Sequence, residues 1–315
     1  MASDTAISAE DLLLRRRTGV FSTVGNAWFF IRRYPIIPSV ILIVLVLAGL
    51  FAPLLTPYDY AIGNVRDRQL PPMSRGWISP TAEANGEIGQ LHILGTDHAG
   101  RDTLTRILYG ARISLMVAAI SLLSGFIAGT SIGILAGYLG GIWDEIITRI
   151  VDIWLALPFL MVVLVATILY GQSLQLLLVM LALLAWVGFV RVVRAQTLIL
   201  KEMDYVALAR VVGASPTRIM FKHILPGVIN SAVVIATLNV GGLILTEATL
   251  SFLGAGIPPP TPAWGVLVAE GRDYIDSAWW QVIMPGTAIF LTLMSLNFLG
   301  DWLRDRLDPR LRQVD

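Results

Sequence analysis

The residue types that most often carry chemistry are scarce in this sequence. It has no cysteine, so disulfides and thiolate metal sites are excluded. Its two lysines, Lys201 and Lys222, follow a leucine and a phenylalanine, whereas a phosphate-binding loop needs Gly-Lys-Ser/Thr. Its three histidines, His92, His98 and His223, all lie outside the long apolar runs, and His223 is expected on the opposite side of a membrane from the others. We therefore expect no catalytic residue, no metal and no cofactor bound by this chain itself.

The most informative segment is the stretch 205–226, Tyr-Val-Ala-Leu-Ala-Arg-Val-Val-Gly-Ala-Ser-Pro-Thr-Arg-Ile-Met-Phe-Lys-His-Ile-Leu-Pro. It is charged and compatible with water, yet it lies between two long apolar runs. Packing inside a membrane gives no reason for such a segment. It indicates instead a surface that contacts a soluble partner outside the bilayer.

This segment predicts two short helices. The first covers about 204–212 and ends at Gly213, where a left-handed cap fits. The second starts with Ser215 as its N-cap and Pro216 at its first position, where the missing N–H costs nothing. Pro226 is expected to interrupt the helix before the next apolar run.

The residues expected to meet the partner are small, positively charged or part of the turns. Small side chains let a partner's surface approach the backbone closely. The candidate coupling residues are Ala207, Ala209, Arg210, Gly213, Ala214, Ser215, Pro216, Arg218, Leu225 and Pro226.

The composition is that of a membrane protein, with 56% of the 315 residues hydrophobic and 14% charged, against about 25% charged in soluble domains. A net charge of +1 argues against a nucleic-acid-binding protein. Six apolar runs are long enough to cross a bilayer, which needs about 20 residues per helix. The sequence therefore predicts an all-α polytopic membrane protein with spans near 35–55, 113–139, 146–170, 174–193, 228–252 and 282–303.

The basic residues predict the orientation of these spans. When the six runs alternate in direction, 16 of the 23 Lys and Arg residues fall on one side. That side is expected to be the cytoplasm, with both termini in it and the spans in contact with lipid of the inner membrane. The predicted regions are an interfacial cytoplasmic helix at 1–34, a first span at 35–55, an extracytoplasmic insertion at 56–104, a five-helix core at 105–303 containing the coupling loop 201–226, and a cytoplasmic tail at 304–315.

Four glycines recur every fourth residue in the second run. Gly125, Gly129, Gly133 and Gly137 line one face of the predicted helix. Small residues at this spacing let a neighbouring helix approach closely. They predict a helix-packing face and do not by themselves indicate a function.

Polar residues inside apolar runs are costly and usually face a protein interior or water. Glu247 is open to two interpretations: a polar lining of the outward gate of a translocation path, or an interfacial carboxylate bonded to nearby backbone. Asn239 is a second candidate for the path and for a hydrogen bond between helices. Asp152 is expected to pair with Arg149 or with a helix end.

Two further groups are expected on the outer side. A charged cluster that would brace the second span through salt bridges consists of Asp97, His98, Arg101 and Asp102. An aromatic belt at the membrane interface is expected from Trp264, Trp279 and Trp280.

The segment 205–226 resembles the EAA loop of the permease subunits of ABC importers. In that loop Glu-Ala-Ala is followed by three residues and a glycine, with Leu-Pro thirteen positions later. Residues 207–209 here are Ala-Leu-Ala, Gly213 stands at the glycine, and residues 225–226 are Leu-Pro. Ala207 replaces the glutamate of the pattern, so an ion pair from this position cannot form.

Three further stretches resemble the C-type permeases of dipeptide and oligopeptide importers, the DppC/OppC group. They are residues 94–115, 250–265 and 300–310. The resemblance runs from about residue 28 to 312, with 56–90 outside it. It implies the six-span, MetI-like permease fold of type I ABC importers and the translocation of di- or oligopeptides across the cytoplasmic membrane.

The same resemblance implies the partners. They are a second, similar permease, two cytoplasmic ATPases that bind ATP and Mg, and an extracytoplasmic peptide-binding protein. Residues 213–222 are then expected to sit in a cleft of an ATPase. Relatives in this group also include transporters of nickel chelates and of glutathione, so the substrate stays open.

Two other classes compete with this interpretation. A self-contained secondary transporter would have more charges inside its spans and helices interrupted at the membrane midplane. An intramembrane enzyme would need a histidine or a pair of aspartates inside the spans, and only Asp152 lies away from the end of a predicted span. Vanadate sensitivity would separate an ATP-driven importer from a secondary transporter.

Overall fold

The computed structural model describes residues 35–80, 83, 85 and 88–307. The interfacial helix predicted for 1–34 and the tail residues 308–315 lie outside this range. The α-helices are α1 (Ile36–Leu50), α2 (Ala52–Leu55), α3 (Thr103–Leu139), α4 (Gly141–Ala156), α5 (Phe159–Tyr170), α6 (Leu174–Leu200), α7 (Asp204–Val211), α8 (Pro216–Ile219), α9 (Leu225–Phe252), α10 (Trp264–Gly271) and α11 (Trp280–Leu307). Two short strands, β1 (Ser74–Arg75) and β2 (Leu91–His92), pair antiparallel.

Within the described residues, four helical stretches are long and apolar enough to cross a membrane. They are α3, α6, the continuous stretch Pro216–Phe252, and α11 through Arg306. Helices α4 and α5 together meet the same test but are bent by 81°. The first predicted span corresponds to α1, whose 15 residues reach about 22 Å, short of a hydrocarbon core of about 30 Å. The described residues therefore give four candidate spans, or five when the bent pair counts as one, and the predicted count of six is not confirmed.

The glycine face of α3 packs against α6, and the two helices run in the same direction. A Cβ added at Gly125 would lie 2.4 Å from the Ala185 Cβ, and one added at Gly137 would lie 2.7 Å from the Thr197 Cβ. Going from residue 125 to 137 along α3, the contacts on α6 therefore move from residue 185 to 197, in the same direction. Glycine is needed along this face because any side chain would meet the α6 backbone or a Cβ atom.

Because α3 and α6 are parallel, the chain between them must return across the bundle. Thr197 of α6 lies beside the end of α3, and Leu174, where α6 begins, is 23 residues before it. The chain between the two helices must therefore cover about 35 Å along the bundle. That distance exceeds the hydrocarbon thickness. Helices α4 and α5 therefore form one broken span and not a re-entrant loop.

The break in this span follows from Pro158. The proline cannot continue the hydrogen bonds of α4, and it drives Leu157 into an extended conformation, with ψ of 131°. Helix α4 is then fastened to α6 by two ion pairs, from Arg194 to Asp144 (Nη2 to Oδ2, 2.7 Å) and from Arg191 to Asp152 (3.0 Å). The expected pairing of Asp152 with Arg149 is wrong.

Helix α9 runs antiparallel to its neighbours. Near its start, a Cβ at Gly227 would meet Leu200 at the end of α6, and near its other end Glu247 bonds to Ser114 close to the start of α3. The bundle therefore has two distinct ends. We call the end that carries 201–226 the docking end, and the end that carries 56–102 and 253–279 the capped end.

Helix α3 begins ten residues before the predicted apolar run. Its N-cap is Asp102, whose Oδ2 accepts from the backbone N–H of Thr105 (2.8 Å) and from the hydroxyl of the same residue (2.7 Å). The first turns include the charged Arg106 and therefore lack an apolar signature. They are helical because the cap starts them and the loops of the capped end cover them.

Candidate docking surface and capped end

The inner face of 201–226 is packed against the bundle. Val206 on α7, Ile219 on α8 and Ile224 are fully buried and share one apolar cluster with Val193 of α6 and Val228 of α9. This packing holds both short helices against the ends of the spans. Both short helices are therefore packed against the ends of α6 and α9.

Helix α7 ends in a Schellman motif, in which backbone N–H groups beyond the helix bond to its last carbonyls. The N–H of Ala214 donates to the carbonyl of Ala209 (3.0 Å), and that of Gly213 donates to the carbonyl of Arg210 (3.1 Å). Gly213 has φ of +82°, a conformation that costs little only for glycine. The predicted left-handed cap is confirmed.

The second helix also starts as predicted. The Ser215 Oγ accepts from the backbone N–H of Arg218 (3.3 Å), and Pro216 occupies the first turn. The helix does not stop at Pro226, however. A π-turn at Met220–Ile224 precedes α9, and helix is continuous over Pro216–Phe252. The expectation that Pro226 interrupts it is wrong.

The π-turn explains how Pro226 is tolerated. The N–H of Leu225 bonds to the carbonyl of Met220, five residues back. This wider turn gives room to the proline ring, which would otherwise clash with the preceding turn. Helix α8 therefore continues through the π-turn into the α9 span.

The outer face of this segment, which we call the docking surface, is apolar and exposed. Leu208, Val211, Val212 and Phe221 expose 64%, 85%, 84% and 70% of their surface. Exposed charged side chains, among them Arg210, surround them, so the surface belongs at a polar interface and not in the bilayer core. A large exposed apolar patch with a charged rim is typical of a protein-contact site.

The predicted coupling residues divide between the two faces. Ala207, Arg210, Gly213, Ser215, Pro216, Arg218 and Pro226 are exposed, whereas Ala209, Ala214 and Leu225 are half-buried against the inner cluster. Sequence reasoning missed Leu208, Val211 and Val212. The signal that could have found them is a pair of valines directly before the capping glycine, on a helix whose buried face already contains Val206.

The capped end contains a buried network of two arginines and two carboxylates. Asp97 Oδ2 accepts from Arg101 Nε (2.6 Å) and from Arg106 Nη1 (2.7 Å), and Arg101 Nη2 donates to Glu270 of α10 (2.9 Å). Arg106 also donates to Glu270. Burial by itself would raise the pKa of the Asp97 carboxyl. Arg106, the backbone N–H and side chain of Arg101, and the backbone N–H of Ala99 together hold that pKa below its ordinary value.

This network confirms that part of the predicted charged cluster braces α3 through salt bridges, and it adds Arg106 and Glu270. Asp102 forms a separate pair with His92 (2.9 Å). Asp97, His98 and Glu270 offer ligand atoms within 4.8 Å of one another. Both carboxylates accept from guanidinium groups, so in this structure the grouping is part of the ionic brace.

Two of the three tryptophans assigned to an aromatic belt are buried instead. Trp264 Nε1 donates to the carbonyl of Ile107 (3.0 Å), and Trp280 Nε1 donates to the carbonyl of Thr96 (3.0 Å). They tie α10 and α11 to α3 and to the loop before it. Trp279 alone of the three is exposed, so the expectation of a three-member belt is wrong.

The two candidates for the translocation path lie in different settings. Glu247 has no exposed surface and accepts from the hydroxyls of Ser114 (3.0 Å) and Ser251 (2.8 Å). Asn239 is half-buried, with its amide nitrogen 3.6 Å from where a Cβ would stand on Gly188 of α6. Lining of a path by either residue stays a prediction.

Comparison with known proteins identifies the family. A family model described as the binding-protein-dependent transport system inner membrane component matches residues 129–313. A second model, the N-terminal TM domain of oligopeptide transport permease C, matches residues 32–72. The chain belongs to the family of binding-protein-dependent transport system inner membrane components, as the resemblance of its loop predicted.

Curated relatives match over most of the chain. The di/tripeptide transport system permease protein DppC of Pseudomonas aeruginosa is 39% identical over 87% of each chain. The oligopeptide transport system permease protein OppC of Bacillus subtilis is 33% identical over 96% of this chain and 90% of its own. The glutathione transport system permease protein GsiD of Pectobacterium atrosepticum is 43% identical over 70% and 73%.

A solved structure shares the fold. A chain of the MetNI methionine ABC transporter in inward-facing conformations aligns with a TM-score of 0.53 and 22% identity, covering 64% of this chain and 96% of that one. Together with the family model, this structure confirms an all-α, MetI-like permease fold.

Proposed function

We propose that this chain is the membrane-spanning permease subunit of an ATP-driven importer that moves di- or oligopeptides into the cytoplasm. ATP and Mg are bound by two separate ATPase chains. A second, homologous permease completes the path, and an extracytoplasmic binding protein delivers the peptide. Family membership and the names of the DppC and OppC relatives support this assignment.

One observation carries the coupling part of the proposal. Phe221 of the docking surface lies on the helical stretch Pro216–Phe252, which continues into the α9 span. Helix α7, which carries Leu208, packs through Val206 in the same buried cluster as Val228 of α9. A soluble partner that binds both helices would move α9 directly through Phe221 and indirectly through α7. A chain without a phosphate-binding loop needs such an external motor for ATP-driven work.

In the proposed orientation the protein spans the cytoplasmic membrane. Its docking end faces the cytoplasm and its capped end faces the outside. The sixteen-to-seven distribution of basic residues supports this direction. The parallel arrangement of α3 and α6 supports the alternation of spans on which the distribution depends. Both ends of the described chain, at 35 and 307, then lie on the cytoplasmic side.

Crosslinking tests the coupling. The chain has no cysteine, so Thr217→Cys introduces a single thiol on the exposed start of α8. We expect it to crosslink to an ATPase subunit in the purified complex. Ile62→Cys, which is also exposed but lies at the capped end, is the matched control and should not crosslink to it. Crosslinking of neither variant to the ATPase would refute the coupling role.

Glutathione is a second candidate substrate, because the GsiD relative reaches 43% identity. Both candidates are short peptides, so the membrane path need not differ between them. Uptake of a radiolabelled dipeptide and of radiolabelled glutathione by cells carrying the intact transporter distinguishes them. Glutathione uptake that excess dipeptide does not reduce would favour the second candidate.

A further inference from the structure

Glu247 occupies a junction of three helices that the proposed function does not use. Its carboxylate is fully buried and is held by Ser114 of α3 and by Ser251 one turn further along α9. The Ser114 Oγ also accepts from the backbone N–H of Trp264 at the start of α10 (3.2 Å). One hydroxyl therefore links α3, α9 and α10 around a single buried acid.

No ion pair to Glu247 occurs among the described residues, which separates this acid from the arginine network nearby. A buried carboxyl group is costly unless hydrogen bonds satisfy it. Two serine hydroxyls at 3.0 and 2.8 Å supply those bonds here. Such a group specifies one arrangement of its neighbours, because every other arrangement leaves it unsatisfied.

The backbones at this junction are in close contact. A Cβ added at Gly265 of α10 would lie 2.5 Å from the Cα of Ala248, so α10 sits directly on the α9 backbone beside Glu247. One added at Gly110 would lie 3.1 Å from the Trp264 ring, which seats α10 on α3.

The junction lies at the far end of the element that starts at the docking surface. Helix is continuous from Pro216 through Glu247, a separation of 31 residues or about 46 Å. A displacement applied at the docking end therefore reaches a helix whose opposite end is fixed by hydrogen bonds and close backbone packing.

We propose that Glu247 is a positioning residue that fixes the outer end of α9 to α3 and α10, so that movement of the docking surface tilts or bends α9 instead of sliding it along its axis. This inference rests on the proposed importer function. In this role Glu247 affects how much peptide is transported per ATP hydrolysed, whereas other residues bind the peptide.

Three variants test this role. Glu247→Leu removes the acceptors, whereas Glu247→Gln keeps one acceptor and can donate to the second hydroxyl. The matched control is Thr249→Val on the same helix, since the Thr249 hydroxyl bonds only within α9, to the carbonyl of Leu245 (2.8 Å). Peptide uptake and ATP hydrolysis are measured together in reconstituted complexes.

We expect Glu247→Leu to lower the uptake per ATP hydrolysed by at least about fivefold, and Glu247→Gln to restore most of it. A purely structural role would lower uptake and hydrolysis in step with the amount of folded complex and would leave their ratio unchanged. Where Glu247→Leu does not assemble, Ser114→Ala deletes the linking hydroxyl alone and is expected to lower the same ratio. An unchanged ratio in both variants, as in Thr249→Val, would overturn the proposal.

A second measurement does not depend on the substrate. Val266 on α10 is buried beside the junction, and Val266→Cys places the only thiol there. We expect a water-soluble maleimide to label it slowly in the parent and at least about fivefold faster when Glu247→Leu or Ser114→Ala is added. Equal rates would refute the junction even if no peptide uptake were found, whereas absent uptake by the unmodified complex would refute the proposed function alone.

Discussion

At Gly213 the backbone turns with φ of +82°, and no described atom lies within 4 Å of the position that a Cβ would take. Space is therefore not what excludes other residues here. The left-handed conformation costs a residue with a Cβ about 1–2 kcal/mol, and more when the side chain is β-branched. The geometry between α7 and α8 depends on this single residue.

We predict that Gly213→Val distorts this turn and reduces copurification of the ATPase subunits, while insertion into the membrane is unchanged. Gly242→Ala is the matched control, since it lies inside a helix with free space around it and should be neutral or slightly stabilising. The amount of ATPase bound per permease in pull-down experiments measures the effect. Normal ATPase binding by Gly213→Val would contradict the prediction.

Asp97 gives a prediction about pH. Its pKa in the folded protein is lower than in the unfolded chain, whose value is about 3.9. The stabilisation it contributes is therefore complete above about pH 4 and is lost as the pH falls through the folded pKa. Asp97→Asn should destabilise the protein at neutral pH by about 3 kcal/mol, because two buried guanidinium groups lose a partner.

Melting temperatures in detergent between pH 7 and pH 3 check this prediction. The Asp97→Asn variant should have a lower melting temperature than the parent at pH 7. Its melting temperature should fall less than that of the parent when the pH drops below 4. Asp276→Asn at an exposed position is the control and should follow the parent. Parallel pH curves for Asp97→Asn and the parent would count against the assignment.

The residues that sequence reasoning predicted well act locally. Gly213, Ser215 and Pro216 were identified because caps depend on residues a few positions apart. The errors concern partners that only the fold brings together: Glu270 lies 169 residues after Arg101, and Asp152 pairs across to another helix. No spacing rule contains that information.

At the scale of elements, the contact between α3 and α6 depends on the absence of side chains. A Cβ at Gly129 would lie 2.4 Å from the carbonyl oxygen of Trp186, so even a methyl group forces the backbones apart. The regular four-residue spacing predicted a packing face. It did not reveal the partner helix or the parallel direction, because both depend on the path of the chain between them.

We predict that Gly129→Val destabilises the protein by about 2–3 kcal/mol or more, since overpacking at a backbone contact cannot be relieved by a rotamer change. Gly286→Ala in α11, where no described atom lies within 4 Å of an added Cβ, should leave stability unchanged. Thermal unfolding followed by size-exclusion chromatography compares the two. Equal melting temperatures would show that the helices can separate at little cost.

The π-turn at Met220–Ile224 is the element that sequence reasoning handled least well. A proline normally ends a helix, and Pro226 was expected to do so. The helix continues past Pro226 because one turn before it has π-type hydrogen bonds, and no residue type in that turn predicts them. The continuity between α8 and the α9 span could therefore be seen only in the structure.

For the whole molecule, the apolar runs and the basic residues predicted the membrane class, most of the spans and the two-sided layout. They placed α1 as a full span, although its helix is short, and they could not foresee the bend at Pro158. These patterns do not predict the substrate, because the hydrophobicity of a span reflects its contact with the bilayer.

The two-sided layout gives a prediction about accessibility. In intact cells we expect Ile62→Cys at the capped end to react with a membrane-impermeant maleimide that reaches the cell surface. In cells that make the permease without its ATPase subunits, Val212→Cys at the docking end should react only after the membrane is permeabilised. Labelling of Val212→Cys in intact cells would reverse the proposed orientation.

The parallel contact of α3 with α6 constrains biosynthesis. When α3 leaves the ribosome, the helix that will cover its glycine face has not been made, and the broken span 141–170 must cross the bilayer before that helix can arrive. Until then the groove of α3 faces lipid or the insertion machinery. The central contact of the permease can therefore form only after the broken span and α6 have followed α3 into the membrane.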